Sequence, residues 1–213
     1  HWDYTTQRVM AMDYVEGVPL ETMAGDDVPQ QQRDKLGRAL EHLLFRELFE
    51  FRVMQTDPNF ANYLYQPDTG RLVLLDFGAT QEFPEEFVEK FRRITRAIIV
   101  RDRATIAEQA MAIGYVERGA SRDRIEAAVD VILLVCEPLH FRGRYDFGAS
   151  DLPGRARDLG FELVFRQGLL KAPPPETIFL HRKLAGIYLL VARLGARMDV
   201  RKLVQPVLDR PDA

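Results

Sequence analysis

The chain is 213 residues long, 46% hydrophobic and 29% charged, with a formal net charge of −3. Such a composition excludes a disordered chain, and the length suits one globular domain rather than two. Near-balance between 29 basic and 32 acidic residues leaves no electrostatic footprint for nucleic acid, and the single Cys136 excludes an internal disulfide or a thiolate zinc cage.

The opening His1-Trp2-Asp3-Tyr4 has neither an initiator Met nor a basic-then-apolar leader, and reads as the start of a piece of a longer protein. Arg8 to Val15 mixes β-branched and long apolar residues over strand length, and Glu16-Gly17-Val18-Pro19 punctuates its end. From Pro29 to Phe51 the residues Leu36, Leu40, Leu43, Leu44 and Leu48 recur at threes and fours, predicting a long amphipathic helix. Tyr63-Leu64-Tyr65 and Leu72-Val73-Leu74-Leu75 flank Pro67-Asp68-Thr69-Gly70, the pattern of a hairpin. Downstream, apolar spacing predicts helices near 84–101, 103–114, 121–139, 155–169 and 176–197, with Pro173-Pro174-Pro175 as a rigid break before the last. No apolar run reaches the roughly 18 residues of a membrane span.

The chemistry-bearing unit is Asp57-Pro58-Asn59-Phe60-Ala61-Asn62 followed, after the hairpin, by Asp76-Phe77-Gly78. An aspartate, an asparagine five residues later and an Asp-Phe-Gly at the end of an apolar strand reproduce the protein-kinase spacing of loop Asp, loop Asn and metal-binding Asp. Phosphoryl transfer needs hard cations on the phosphate oxygens and a carboxylate that orients the nucleophile. A hairpin returning Asn62 beside Asp76 lets one amide oxygen and one carboxylate share Mg2+, leaving Asp57 free of metal and facing the acceptor. By position, Met12 is the expected gatekeeper of an adenine site, with the Asp13 carbonyl and the Val15 amide as its backbone readers. A second copy, Asp146-Phe147-Gly148, follows Arg142-Gly143-Arg144-Tyr145 rather than an apolar strand and has no Asp-x4-Asn loop before it. It reads as a turn with an aromatic anchor.

Val9-Met10-Ala11-Met12-Asp13-Tyr14-Val15-Glu16-Gly17, Gln55-Thr56-Asp57-Pro58-Asn59-Phe60-Ala61-Asn62 and Leu74-Leu75-Asp76-Phe77-Gly78-Ala79-Thr80 closely resemble the UbiB/ADCK family of atypical kinases, most of all its ubiquinone-biosynthesis branch. Tyr145-Asp146-Phe147-Gly148 and Phe179-Leu180-His181-Arg182-Lys183 extend the resemblance over most of the chain. It implies an ATP-binding protein that supports coenzyme Q production as an ATPase or small-molecule kinase. It further implies Asp57 as the catalytic residue, Asn62 and Asp76 on magnesium, and quinone-biosynthesis enzymes or lipid intermediates as partners. The location implied is cytoplasmic and peripheral to the inner membrane in a bacterium, or the mitochondrial matrix side in a eukaryote. Phe60 stands where the family pattern has tryptophan, and the aromatic packing role survives that change.

A kinase site also needs a strand lysine, paired with a glutamate, on its nucleotide phosphates. The first lysine here is Lys35, and no G-x-G occurs. The expectation is therefore a mainly helical α+β fold equivalent to a kinase large lobe, with residues 1–20 as hinge strand and linker and 21–213 as the lobe. The small lobe is expected to be supplied from outside these residues, and the piece alone to be inactive. An activation segment for docking peptides is also lacking, since Gly78 is followed within a few residues by Pro84-Glu85-Glu86 and a helix. A small or lipid-borne substrate, or ATP hydrolysis coupled to conformational change, fits better than protein phosphorylation. The competing reading is a non-catalytic ATP-binding pseudokinase scaffold. Arg92, Arg93, Arg96, Arg101 and Arg103, lying near Glu85, Glu86 and Glu89, read as a solvated, salt-bridged face. His181 reads as a packed histidine and Cys136 as a buried thiol.

Overall fold

The computed structural model describes residues 1–162 and 174–209. In chain order it runs through β1 (Val18–Pro19), α1 (Gln30–Arg46), a π-helical turn (Glu47–Phe51), β2 (Val53–Gln55), β3 (Tyr63–Gln66), β4 (Arg71–Leu74) and β5 (Thr80–Glu82). The rest is mainly helical: α2 (Glu85–Val100), α3 (Arg103–Ile113), α4 (Arg122–Val135), α5 (Glu137–His140), β6 (Tyr145–Asp146), α6 (Leu152–Phe161), α7 (Ile178–Arg193), β7 (Arg197–Met198) and α8 (Val200–Leu208). This is the mainly helical α+β arrangement that the sequence predicts.

The helix α1 is the spine. Its stripe of Leu36, Leu40 and Leu44 is buried at four-residue spacing, and the helix packs on α7, α8 and β7. On α7 the buried stripe is Leu180, Lys183, Ile187 and Leu190, apolar but for one cation. Arg92 of α2 is buried rather than solvated. Its guanidinium donates to the carbonyls of Val207 at 3.1 Å and Phe49 at 3.0 Å, and so caps the end of α8 and the π-turn. Arg93 pairs with Glu89 at 3.1 Å and Arg103 with Asp130 at 2.8 Å, as a charged face requires.

The hairpin forms in the register Tyr63↔Leu74 to Gln66↔Arg71, and Gly70 closes its turn at φ +66, a backbone state that favours glycine. Its other edge pairs with β1 (Val18↔Tyr65, Pro19↔Leu64), giving the order β1-β3-β4. Beneath it β2 pairs antiparallel with β5, Met54 facing Gln81.

Several boundaries differ from the sequence prediction. Arg8 to Val15 is not a strand: among the described residues it has no ladder partner, and Met10, Met12 and Tyr14 are exposed. In place of a neighbouring strand its backbone bonds locally to the first turn, the Val9 carbonyl accepting from the Thr6 N–H at 2.7 Å and the Ala11 carbonyl from the His1 ammonium at 2.8 Å, and only Val18–Pro19 reaches the sheet. The helix predicted over 121–139 breaks at Cys136 because Pro138 cannot donate within a continuous helix and its ring crowds the preceding turn. Cys136 sits half-buried at that junction, where desolvation pushes its thiol up to about 12. The helix predicted over 155–169 starts at Leu152, and its part beyond Glu162 lies outside the described residues, as does Pro173. No helix among the described residues is long and apolar enough to cross a membrane.

Candidate active site

The strand β2 delivers the chain into the loop 56–62, and the loop is tied at both ends. At its start, the Thr56 N–H and Oγ1 both donate to the Ala79 carbonyl at 2.8 Å. At its close, Leu75 N–H donates to the Asn62 carbonyl at 3.0 Å. Asn59 Oδ1 accepts from the Ala61 N–H at 3.0 Å and so starts the single helical turn Phe60–Asn62. The hairpin thereby sets the main chain of Asn62 against the residue preceding Asp76. Asp76 Oδ1 accepts from the Gly78 N–H at 2.7 Å, and Phe77 is exposed.

Protein groups engage both carboxylate oxygens of Asp57. Its Oδ1 accepts from Arg182 Nη2 at 2.5 Å, and Asn62 Nδ2 donates to its Oδ2 at 3.2 Å and its carbonyl at 2.9 Å. Arg182 comes from α7, 125 residues away in sequence, and its side chain is half-exposed. Asn62 turns its amide nitrogen to Asp57, which leaves Oδ1 as its remaining donor atom. Asp76 likewise keeps Oδ2 beyond its bond to Gly78. Two hard oxygens fit Mg2+, which binds few protein ligands and completes its shell with phosphates and water. No cluster of three or more His, Cys, Asp or Glu that could hold a metal occurs among the described residues, so such an ion would depend on the nucleotide for the rest of its shell.

Beneath the loop lies a buried ion pair that the sequence reading did not find. Lys183 Nζ, fully buried, lies 3.0 Å from Glu47 Oε2 on the π-turn. It also reaches Gln55 Oε1 at 3.3 Å and Tyr63 OH at 3.4 Å. Desolvation pushes the Lys183 ammonium down and the Glu47 carboxyl up, and each partner's charge opposes the other's shift. Burial, with the negative charges of Glu47 and Asp57, also raises the Tyr63 phenol. One turn beyond Lys183, a Cβ at Gly186 would fall 1.9 Å from Pro58 Cγ, so α7 touches the loop directly. The signal for Lys183 was present in the sequence as one cation inside the stripe Leu180, Ile187 and Leu190. Arg182 had only its place beside that lysine.

The residues expected to read adenine have other surroundings. Met12 is exposed, Asp13 Oδ1 lies 2.7 Å from His1 Nε2, and Val15 sits in the unpaired segment, which is anchored through Gln66 Nε2 donating to the Glu16 carbonyl at 2.9 Å. At the second Asp-Phe-Gly, Asp146 pairs with Arg197 at 2.7 Å and Phe147 is buried at 1% exposure, the aromatic anchor predicted. Tyr145 and Asp146 themselves form β6 against β7, rather than a bare turn. His181 Nε2 lies 2.6 Å from the Tyr115 hydroxyl, with its ring stacked on that residue, and burial pushes its pKa down, as for a packed histidine.

Residues 1–110 match the ABC1 atypical kinase-like domain. The chain is 37% identical over 205 residues to the mitochondrial atypical kinase COQ8B of Rattus norvegicus, covering 96% of this chain and 38% of the relative. It is 36% identical to the mitochondrial atypical kinase COQ8 of Saccharomyces cerevisiae, covering 96% and 40%. Identity to the probable protein kinase UbiB of Xanthomonas campestris is 23%, over 98% and 37%. The chain thus spans about two fifths of the length of these relatives. Among solved structures, Rv3197 of Mycobacterium tuberculosis, in complex with erythromycin, superposes with a TM-score of 0.71 at 20% identity, covering 92% of this chain and 48% of that one. At that identity the likeness speaks for the fold alone.

Proposed function

The chain belongs to the ABC1 atypical kinase-like family, and from that premise we propose that it forms the large lobe of an atypical kinase or ATPase that acts on Mg-ATP in support of ubiquinone biosynthesis. The observation that carries this reading is the hairpin register. It brings the Asn62 main chain to Leu75, the neighbour of Asp76, at 3.0 Å, and the Asn62 amide lies 3.2 Å from the Asp57 carboxylate. In the proposal Asn62 Oδ1 and Asp76 hold Mg2+, which when bound neutralises charge on the phosphates. Asp57 faces the acceptor, or a water, and orients it. The Asp57 carboxylate is already engaged by Arg182 and Asn62, which suits orientation of a nucleophile or reorganisation on nucleotide binding.

The adenine-reading roles of Met12, Asp13 and Val15 are part of the same proposal. They require that segment to pair with a strand of a small lobe, which would also bring the phosphate-holding lysine. Consistent with this, the isolated 213 residues are expected to show negligible ATP turnover. The short path between Gly78 and α2 supports a non-peptide substrate: three of its six residues form β5 against β2, which leaves little room in that segment for a peptide platform. A small or lipid-borne acceptor, or hydrolysis alone, is the reading that remains. Quinone-biosynthesis enzymes and a membrane surface are the proposed partners, on the cytoplasmic face of a bacterial inner membrane or the matrix side of a mitochondrial one.

The Asp57–Arg182 pair also favours a second reading, an ATP-binding scaffold in which a neutralised Asp57 performs no transfer. Single-turnover ATP hydrolysis by the two-lobed protein, with Asp57→Asn and Asp76→Asn alongside, separates the two. Loss of turnover in both variants supports the enzyme. Unchanged turnover in both leaves the scaffold.

A further inference from the structure

Lysine is rarely buried without a reason, and Lys183 is fully enclosed in a stripe that is otherwise apolar. Replacing a buried ion pair by packed apolar groups is often neutral or stabilising, so stability does not account for Lys183–Glu47. What the pair does hold is Gln55. Glu47 Oε1 accepts from the Gln55 backbone N–H at 3.3 Å, and Lys183 Nζ donates to Gln55 Oε1 at 3.3 Å. An ammonium offers only donors, so it fixes the amide with Oε1 inward and Nε2 outward. Outward, Gln55 Nε2 donates to the Asp57 carbonyl at 2.9 Å. That carbonyl also accepts from Asn62 Nδ2 at 2.9 Å and Asn59 N–H at 2.8 Å. Lys183 is also within 3.4 Å of Tyr63 OH, at the residue after Asn62. The π-turn that presents Glu47 departs from regular helix, a device frequent at functional sites.

We propose that Lys183 is a positioning residue: paired with Glu47 beneath the loop, it locks Gln55 and through it holds Asp57 and Asn62 in their phosphoryl-transfer geometry. The inference deepens the kinase or ATPase reading and rests on it.

The test uses the two-lobed protein. Lys183→Met alone strands the Glu47 carboxylate and can fail to fold, so the decisive variant is Glu47→Gln with Lys183→Met, which removes both charges at similar volume. Gln55→Met breaks the link to Asp57 and leaves the ion pair intact. Both are expected to lower kcat about 100-fold, the cost of an ångström-scale misplacement, with KM for Mg-ATP changed by less than ~3-fold. Hydrogen exchange at the Asn59, Ala61 and Asn62 amides should accelerate ~10-fold while α3 and α4 keep their protection. A merely structural pair would instead loosen the whole lobe and leave kcat in place. A double variant that melts at or above the parent temperature and keeps both kcat and loop protection overturns the proposal. Should the parent protein itself not hydrolyse ATP, the enzyme reading fails. Loop exchange then decides the positioning role by itself: local acceleration supports it and unchanged exchange overturns it.

Discussion

Replacing Gly186 by alanine sets two effects of known sign against each other. In a helix interior Gly→Ala ordinarily stabilises by ~1 kcal/mol, through backbone entropy. Here the new Cβ would lie 1.9 Å from Pro58 Cγ, 2.7 Å from its Cβ and 3.4 Å from its Cδ. A proline ring has no rotamer by which to move aside, and ordinary contact begins near 3.4 Å, so α7 and the loop must separate by about 1.5 Å. Overpacking of this kind costs ~1–3 kcal/mol. The net change is a loss of ~0–2 kcal/mol, which lowers Tm by ~0–8 °C in a protein of this size. Function is hit harder because the displaced residue adjoins Asp57, and a 1 Å misplacement is worth about 100-fold in rate. Steady-state ATP hydrolysis and thermal melts of the two-lobed protein read both quantities. Gly154→Ala in α6 is the control, since its Cβ meets nothing within 4 Å. It should leave turnover unchanged and Tm level or slightly higher. Refutation would be a Gly186→Ala enzyme that turns over within ~3-fold of the parent and melts ~1 kcal/mol higher, as a plain helix glycine would.

The two Asp-Phe-Gly copies should part on both stability and activity. Phe147→Ala, at 1% exposure, should cost ~3–5 kcal/mol in a urea titration; Phe77→Ala, at 61% exposure, should stay within ~0.5 kcal/mol. Asp146→Asn should leave ATP turnover in place, since its partner is Arg197 on the β6–β7 ladder, whereas Asp76→Asn should abolish it; equal effects would refute the assignment. Glu41, buried on α1, has its carboxyl raised from 4.5 to about 7 by desolvation. Between those values the folded state binds the proton that the unfolded state has released, so stability is fully present below pH 4.5 and falls as pH rises towards 7. Thermal melts of Glu41→Gln should match the parent at pH 4.5 and exceed it at pH 8 by an amount equivalent to ~3 kcal/mol; parallel curves across that window would refute it.

What the sequence disclosed depended on the range over which each signal acts. Leucines at threes and fours in Leu36–Leu48 carry their own period, so α1 was readable, and the hairpin declared itself through two apolar runs about a Gly-ended turn. Loop and hairpin are contiguous in the chain, which is why the return of the chain from Asn62 to Leu75 could be anticipated from spacing alone. The pairings of β1 with β3, β2 with β5 and β6 with β7 were not readable, for two or three residues cannot display an alternation, and their partners are chosen by the packed lobe. Arg8–Val15 misled in the opposite sense: β-branched composition favours a strand, but a strand exists only where another accepts its hydrogen bonds. The same distinction applies to the polar support of the site. Arg182 reaches Asp57 from 125 residues away and Lys183 reaches Gln55, just before the loop, from 128, and only the fold brings them there. Yet their burial contrast was implicit in the helix period. Position 183 falls on the stripe of Leu180, Ile187 and Leu190 and must be buried, while position 182 falls beside it at the rim. A lysine forced inward by its neighbours needs an acid and acceptors waiting, and the buried polar Glu47 and Gln55 are what the fold supplies. A single cation within an apolar helical stripe is thus itself a pointer to a buried polar site, even when its partner lies in a distant part of the chain.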